Sequence, residues 1–193
     1  MSALKVAIFG GSFNPPHVAH LLAATLVVAT HDVDRLLVVP TFQHPFAKEL
    51  APFEARVTMS ELAMGKLPNV QISRVEADLG GESKTLRTLE HLQKTNPNWQ
   101  MQLVMGGDLV TESSKWHRFA DIKKIAPPLV IGRAGFANAK FAGDAKVLSL
   151  LPEISSTEIR KKIKDQKWDE LAQLVPRSVL AFIRAEHLYA AAS

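Results

Sequence analysis

Val6-Ala-Ile-Phe-Gly-Gly-Ser-Phe-Asn-Pro-Pro-His-Val-Ala-His20 is the stretch on which the reading of this chain turns. It opens with a short apolar run, Val6 to Phe9, long enough for one buried strand. Gly10-Gly11-Ser12 follows, a tight polar turn where backbone N–H groups can approach a ligand. Pro15 and Pro16 punctuate the chain, and proline is tolerated in a first helical turn because its missing donor would be unpaired there anyway. His17 and His20 stand three apart and therefore share one helix face. Strand, Gly-rich turn, helix N-terminus and two imidazoles are expected in that order. A helix N-terminus attracts anions, and neutral imidazoles add directed N–H donors. The constellation suits a polyphosphate. Two other readings of the histidines stand beside it: a solvated face, or a pair of metal ligands. Zinc usually takes a third protein ligand. The chain has no cysteine, and His31 and Asp32 lie about one helix length away. No protein metal site is expected.

Working outward, helical pattern runs from about Pro16 to Thr30, and Leu36-Leu-Val-Val39 is a second continuous apolar strand ended by Pro40. Strand, helix and strand in this order make a βαβ unit whose parallel strands are buried on both faces. Ligands of such sheets bind outside the carboxyl ends of the strands. Further strands are expected at Val70–Ile72, Trp99–Met105, Leu129–Ile131 and Val147–Leu151. Further helices are expected from Phe53 to Lys66, from Ser83 to Thr95, over Leu109–Ser114, and from Ser155 to about Lys164. Ser73 to Leu79 reads as chain leaving a strand. The fold class expected is α/β: a Rossmann-like parallel sheet with helices on both faces and a helical C-terminal segment. No repeat, low-complexity run or linker interrupts the chain, so one domain over residues 1–193 is expected, with its helical part from about residue 155.

The 193 residues can bury a sizeable core. Hydrophobic residues make up 47% and charged residues 22%, which suits a soluble globular protein. The net charge of +4 favours anionic ligands, but Lys and Arg are spread out and form no nucleic-acid patch. Without cysteine there is neither a disulfide framework nor thiolate chemistry. The opening Met-Ser-Ala-Leu-Lys lacks a signal-peptide layout. The longest apolar-rich segment, Leu21 to Ala29, falls short of the roughly 20 residues that span a bilayer. A cytoplasmic protein without membrane or nucleic-acid partners is expected; its oligomeric state is open.

Other stretches carry chemistry. Gly106-Gly107-Asp108 ends a strand with an acid beside glycines, a nucleotide-site pattern. The loop Thr41 to Ala51 holds His44, Pro45 and Lys48, and reads as a polar surface loop or as a ligand-facing one. Arg56 reads as a phosphate contact or as a solvated charge. In Ile154-Ser-Ser-Thr-Glu-Ile-Arg160, Ser155 with Glu158 three later is a capping box. Ser155, Ser156 and Thr157 would then offer hydroxyls and backbone N–H groups at a positive helix end. Arg160, four after Ser156, shares that face and can bind phosphate through its fork.

The first stretch resembles the GSFNPxHxGH signature of the HxGH-type nucleotidyltransferase superfamily, with Ala19 where that family usually has Gly. Ile154 to Arg160 resembles its ISSTxxR motif. The chain as a whole is most similar to the bacterial nicotinate-nucleotide adenylyltransferase family. Ser83, Thr85 and Thr88 match a SYTxDT-like segment, while Lys84 and Arg87 stand where that segment has Tyr and Asp. Gly106, Asp108 and Trp116 match GxDxxxxxxxW. Arg133 matches the arginine of a strand-end Arg-Pro-Gly, with Ala134 in place of Pro. Pro176, Val179 and the pair Leu188-Tyr189 resemble the family's tail.

The resemblance implies ATP plus nicotinate mononucleotide giving the dinucleotide and pyrophosphate, with Mg²⁺ as cofactor. The substrate's own phosphate is the nucleophile, so the protein aligns the reactants and stabilises charge. It implies His17 at the α-phosphate, with His20, Lys48, Ser155, Ser156, Thr157 and Arg160 holding the rest of the triphosphate. Gly10, Gly11, Ser12 and Phe13 would line the ATP site, and Gly106, Asp108 and Arg133 would border the adenosine. Trp116 would stack on the pyridine ring, and Thr85 and His117 would hold its carboxylate. Nicotinamide mononucleotide or phosphopantetheine stand as alternative acceptors. A Rossmann oxidoreductase is disfavoured because GxGxxG does not follow the first strand. A non-catalytic nucleotide sensor is disfavoured by the intact His17, His20 and Arg160.

Overall fold

The structure, a computed structural model, describes residues 3–43, 50–106, 116, 118–132 and 151–190. Its centre is a sheet of five strands: β1 (Leu4–Gly11), β2 (Arg35–Pro40), β3 (Val70–Ile72), β4 (Trp99–Gly106) and β5 (Pro128–Ile131). They lie in the order β3-β2-β1-β4-β5, and every neighbouring pair is parallel. The helices are α1 (Val18–Thr30), α2 (Phe53–Met64), α3 (Val75–Leu79), α4 (Thr85–Thr95), α5 (Phe119–Ile125), α6 (Ser156–Lys164), α7 (Trp168–Leu171) and α8 (Arg177–Ala185).

The strands are apolar because both of their faces are covered, and their side chains alternate between two cores. Ala7, Leu36, Val38, Val104 and Leu129 point to one core. Val6, Ile8, Leu37, Val39, Leu103 and Met105 point to the other. Ala23, Ala24 and Val27 of α1, Met59 of α2, Ile159 and Ile163 of α6, Leu171 of α7 and Val179 and Ile183 of α8 complete the first. Val75 of α3, Leu86, Leu89 and Leu92 of α4 and Ile122 of α5 complete the second. The C-terminal helices thus share the core that α1 and α2 cover. Two bonds tie them there: the Val18 N–H donates to the Leu174 carbonyl at 2.9 Å, and the Ser178 hydroxyl to the Leu62 carbonyl at 3.1 Å.

Most expected elements are present, with differences that have local causes. α1 begins at Val18, two residues late, because His17 takes the extended N-cap conformation. Ser73 to Leu79 is not irregular: α3 forms there. It ends at Gly80, whose φ of 65° is left-handed and suits glycine. α5 follows Arg118 and was carried by no sequence signal read above. The expected helix at Leu109–Ser114 lies outside the described residues. So does the expected strand at Val147–Leu151 apart from Leu151, whose N–H donates to the Gly132 carbonyl at 3.3 Å.

Candidate active site

Parallel sheets open a crevice where strand order reverses. Here the chain leaves β1 through α1 to β2 on one side and later arrives through α4 at β4 on the other. The crevice therefore lies beyond Gly10 and Gly11 of β1 and Gly106 of β4. A Cβ built on Gly10 meets nothing within 4 Å, whereas one on Gly11 comes within 3.1 Å of the Phe13 ring. Gly11 is glycine because Phe13 folds back against it. Gly10 is bordered by open space at the sheet's carboxyl edge. Phe13 is 1% exposed, with its ring edge-on to Phe9 and to His20. Its side chain is core, and only its backbone faces the turn. The Ser12 carbonyl is bonded inward rather than to a ligand.

The histidines occupy the first turn of α1. His17 is the N-cap, and its backbone N–H donates to His20 Nδ1 at 3.2 Å, one half of a capping box made with an imidazole. That bond orients the imidazole of His20 in the first turn of the helix. The two rings lie 3.8 Å apart at 37°. Ala19, which replaces the signature's glycine, is buried in the same turn.

The second motif meets the first directly. Ser155 caps α6, its hydroxyl accepting the Thr157 N–H at 3.2 Å rather than that of Glu158. Ser156 donates its hydroxyl to the Pro15 carbonyl at 3.0 Å. Arg160 donates Nη1 to the Asn14 carbonyl at 2.8 Å and Nη2 to the Thr157 hydroxyl at 3.3 Å. The start of α6 and the start of α1 therefore form one paired helix terminus, with a partly exposed guanidinium beside it.

Arg56 matches neither of its sequence readings. It is 1% exposed, and its guanidinium donates to four backbone carbonyls: Ala51 at 2.9 Å, Ser12 at 3.1 Å, Thr41 at 2.6 Å and Phe42 at 3.4 Å. Burial holds its pKa below the usual arginine range. It fastens the turn after β1 to the chain following β2. The signal for this role was spacing. Arg56 precedes the buried Met59 and Ser60 by three and four residues, on α2's inward face.

On the opposite face of the sheet, Thr85 is the first residue of α4 and half-buried. Trp116, also half-buried, packs edge-on to Phe119 with ring centres 6.0 Å apart. Ser83 caps no helix; Lys84 is the N-cap, and the Ser83 hydroxyl accepts N–H groups of Phe42 and Gln43. Glu76, which sequence reasoning missed, accepts from the Phe42 N–H at 3.0 Å and the Thr88 hydroxyl at 3.3 Å. Arg87 bonds the Leu79 and Gly80 carbonyls at the end of α3, so its charge is tied to a helix C-terminus. Lys48, Asp108, His117 and Arg133 lie outside the described residues.

Residues 8–162 match the model of the cytidylyltransferase-like family. The chain is 43% identical over 188 residues to a "Probable nicotinate-nucleotide adenylyltransferase" of Anaeromyxobacter dehalogenans, covering 96% of each chain. It is 36% identical over 188 residues to the protein of the same name from Myxococcus xanthus, covering 97% of this chain and 95% of that one. Among solved structures, Plasmodium falciparum nicotinic acid mononucleotide adenylyltransferase complexed with NaAD superposes with a TM-score of 0.81. It is 19% identical, with 96% and 97% of the two chains covered. With a five-stranded parallel sheet whose two sequence motifs close on each other, and relatives aligned along nearly all its length, the chain belongs to the cytidylyltransferase-like nucleotidyltransferases and, among them, to the nicotinate-nucleotide adenylyltransferase family.

Proposed function

We propose that this chain transfers the adenylyl group of ATP to nicotinate mononucleotide, forming nicotinate adenine dinucleotide and pyrophosphate in NAD biosynthesis. The observation that carries the site assignment is the pairing of the two motifs through Ser156 with Pro15 and Arg160 with Asn14. It makes a single cationic, N–H-rich end from two helices, which suits a triphosphate. An oxygen of the acceptor's phosphate attacks the α-phosphorus. The bond from that phosphorus to the bridging oxygen breaks, and pyrophosphate leaves with the electron pair. His17 and His20, in the first turn of α1, would meet charge on the α-phosphate as it develops. Arg160 and the backbone N–H of Ser156 hold the leaving pyrophosphate.

Among the described residues no three His, Asp or Glu side chains gather as a metal site. Mg²⁺ is commonly held by substrate phosphates and water rather than by a protein cage. Mg²⁺ carried on ATP would screen the repulsion between the two anionic substrates. No helix among the described residues is long and apolar enough to cross a membrane. Cytoplasmic action on soluble nucleotides is the corresponding reading.

The acceptor is assigned to the other layer. Trp116 offers a flat indole for a pyridine ring, and Thr85 opens a helix whose free N–H groups favour a carboxylate. An amide would match fewer of those donors, and each mismatch costs about 1–3 kcal/mol in a buried site. Nicotinate mononucleotide should exceed the nicotinamide form by at least roughly tenfold in kcat/KM. Pyrophosphate release at saturating Mg-ATP with each nucleotide measures this. Equal rates would sink the acceptor assignment and leave adenylyl transfer standing.

A further inference from the structure

Tyr189 lies far from both phosphate motifs in sequence, yet its hydroxyl reaches one of them. It donates to Asn14 Oδ1 at 2.8 Å. The Asn14 side-chain oxygen also accepts the Ala51 N–H at 3.1 Å, and the Ala51 carbonyl is in turn held by Arg56 Nε at 2.9 Å. Asn14 itself is 1% exposed. Its backbone carbonyl is the acceptor for Arg160 Nη1, and the next carbonyl, of Pro15, is the acceptor for Ser156. Whatever fixes the Asn14 side chain therefore fixes the peptide on which α6 docks. To bring the phenol inward the tail bends through two left-handed residues, His187 at φ 50° and Tyr189 at φ 63°. Non-glycine residues occupy that region only when their surroundings hold them there. Burial raises the Tyr189 pKa, against the opposing influence of Arg160 and Arg56, so the hydroxyl keeps its proton and stays a donor.

We propose that Tyr189 is a positioning residue for the ATP site. It locks the Asn14 side chain and so sets where Arg160 presents its guanidinium to the triphosphate. This rests on the reading of that site as the ATP site. Tyr189 touches no reacting atom. It acts through Asn14 on Arg160, joining the end of the chain to its first motif.

The test is a double-mutant cycle on ATP affinity. Tyr189→Phe keeps the ring and removes only the hydroxyl, leaving Asn14 Oδ1 with the Ala51 N–H. Calorimetric titration of the protein with Mg-ATP should show Kd rising about fivefold, the net worth of one hydrogen bond. KM for nicotinate mononucleotide should stay within about twofold, because the acceptor elements lie on the other face of the sheet. In an Arg160→Lys background, where the guanidinium's bond to the Asn14 carbonyl is already lost, adding Tyr189→Phe should change Kd by less than about twofold. A merely structural tyrosine would lower the melting temperature without moving Kd, and that result overturns the proposal. An equal fivefold effect in both backgrounds also overturns it, since Tyr189 would not be acting through Arg160. Failure of the wild-type protein to bind Mg-ATP would overturn the ATP-site reading itself. ATP binding that Tyr189→Phe leaves unchanged defeats only the role of Tyr189.

Discussion

One bond orients the ring of His20. Its Nδ1 accepts the His17 backbone N–H at 3.2 Å, which holds the imidazole against the first turn of α1. His17, at the N-cap itself, stands nearest the helix end where charge on a phosphate is best met. His17→Ala should lower kcat by on the order of 10²-fold or more while ATP affinity moves less, because Arg160 and the helix N–H groups remain. Steady-state kinetics beside an ATP titration separates the two effects. Near-normal turnover would remove His17 from the chemistry. Arg56 shows the other use of a cation at this edge: it reaches no solvent and joins chain segments through their carbonyls.

Among the elements, α6 shows what a sequence can and cannot reveal. Its cap was legible because Ser155 before a helical pattern has one physical use, and the structure places the cap there. Ser155→Ala should therefore cost about 1 kcal/mol and lower the melting temperature by roughly 2–4 °C, read by thermal unfolding without ligand. The strands and the βαβ start were legible for a similar reason: continuous apolar runs ended by Gly or Pro leave few alternatives. α3 was not legible, since Val75–Leu79 is too short for periodicity to register and is held by Glu76 bonding to distant Phe42 and Thr88. Arg56 was misread for the same cause. A charge in isolation reads as surface or ligand contact, and only the fold supplies the carbonyls that bury it. The bonds of Ser156 to Pro15 and of Tyr189 to Asn14 were equally invisible, because they join ends of the chain that only the folded sheet brings together.

At the scale of the whole molecule, the sheet separates the proposed tasks. Helices carrying the two sequence motifs share one core, and α3, α4 and α5 share the other with Trp116 packed at its edge. A ligand that bridges α1 and α6 stabilises only the folded chain. Mg-ATP at about 100 times its Kd should add about 2.7 kcal/mol, raising the melting temperature by roughly 5–10 °C in a protein of this size. A thermal melt with and without nucleotide measures it, and an unchanged midpoint would deny that ATP binds the native state.

The register of β1 has a bearing on how the molecule is made. This strand is central, with Val6 beside Arg35 on one flank and Leu4 beside Trp99 on the other. A ribosome adding about 5–20 residues per second delivers β2 soon after β1, but delivers β4 several seconds later. For that interval the nascent chain carries its central strand with one edge bare. The helix α1, apolar over most of its surface, is the first cover that β1 and β2 receive, and α2, α3 and α4 follow it before β4 arrives. Birth of the protein, rather than its finished stability, is the stage at which this topology is most exposed to aggregation.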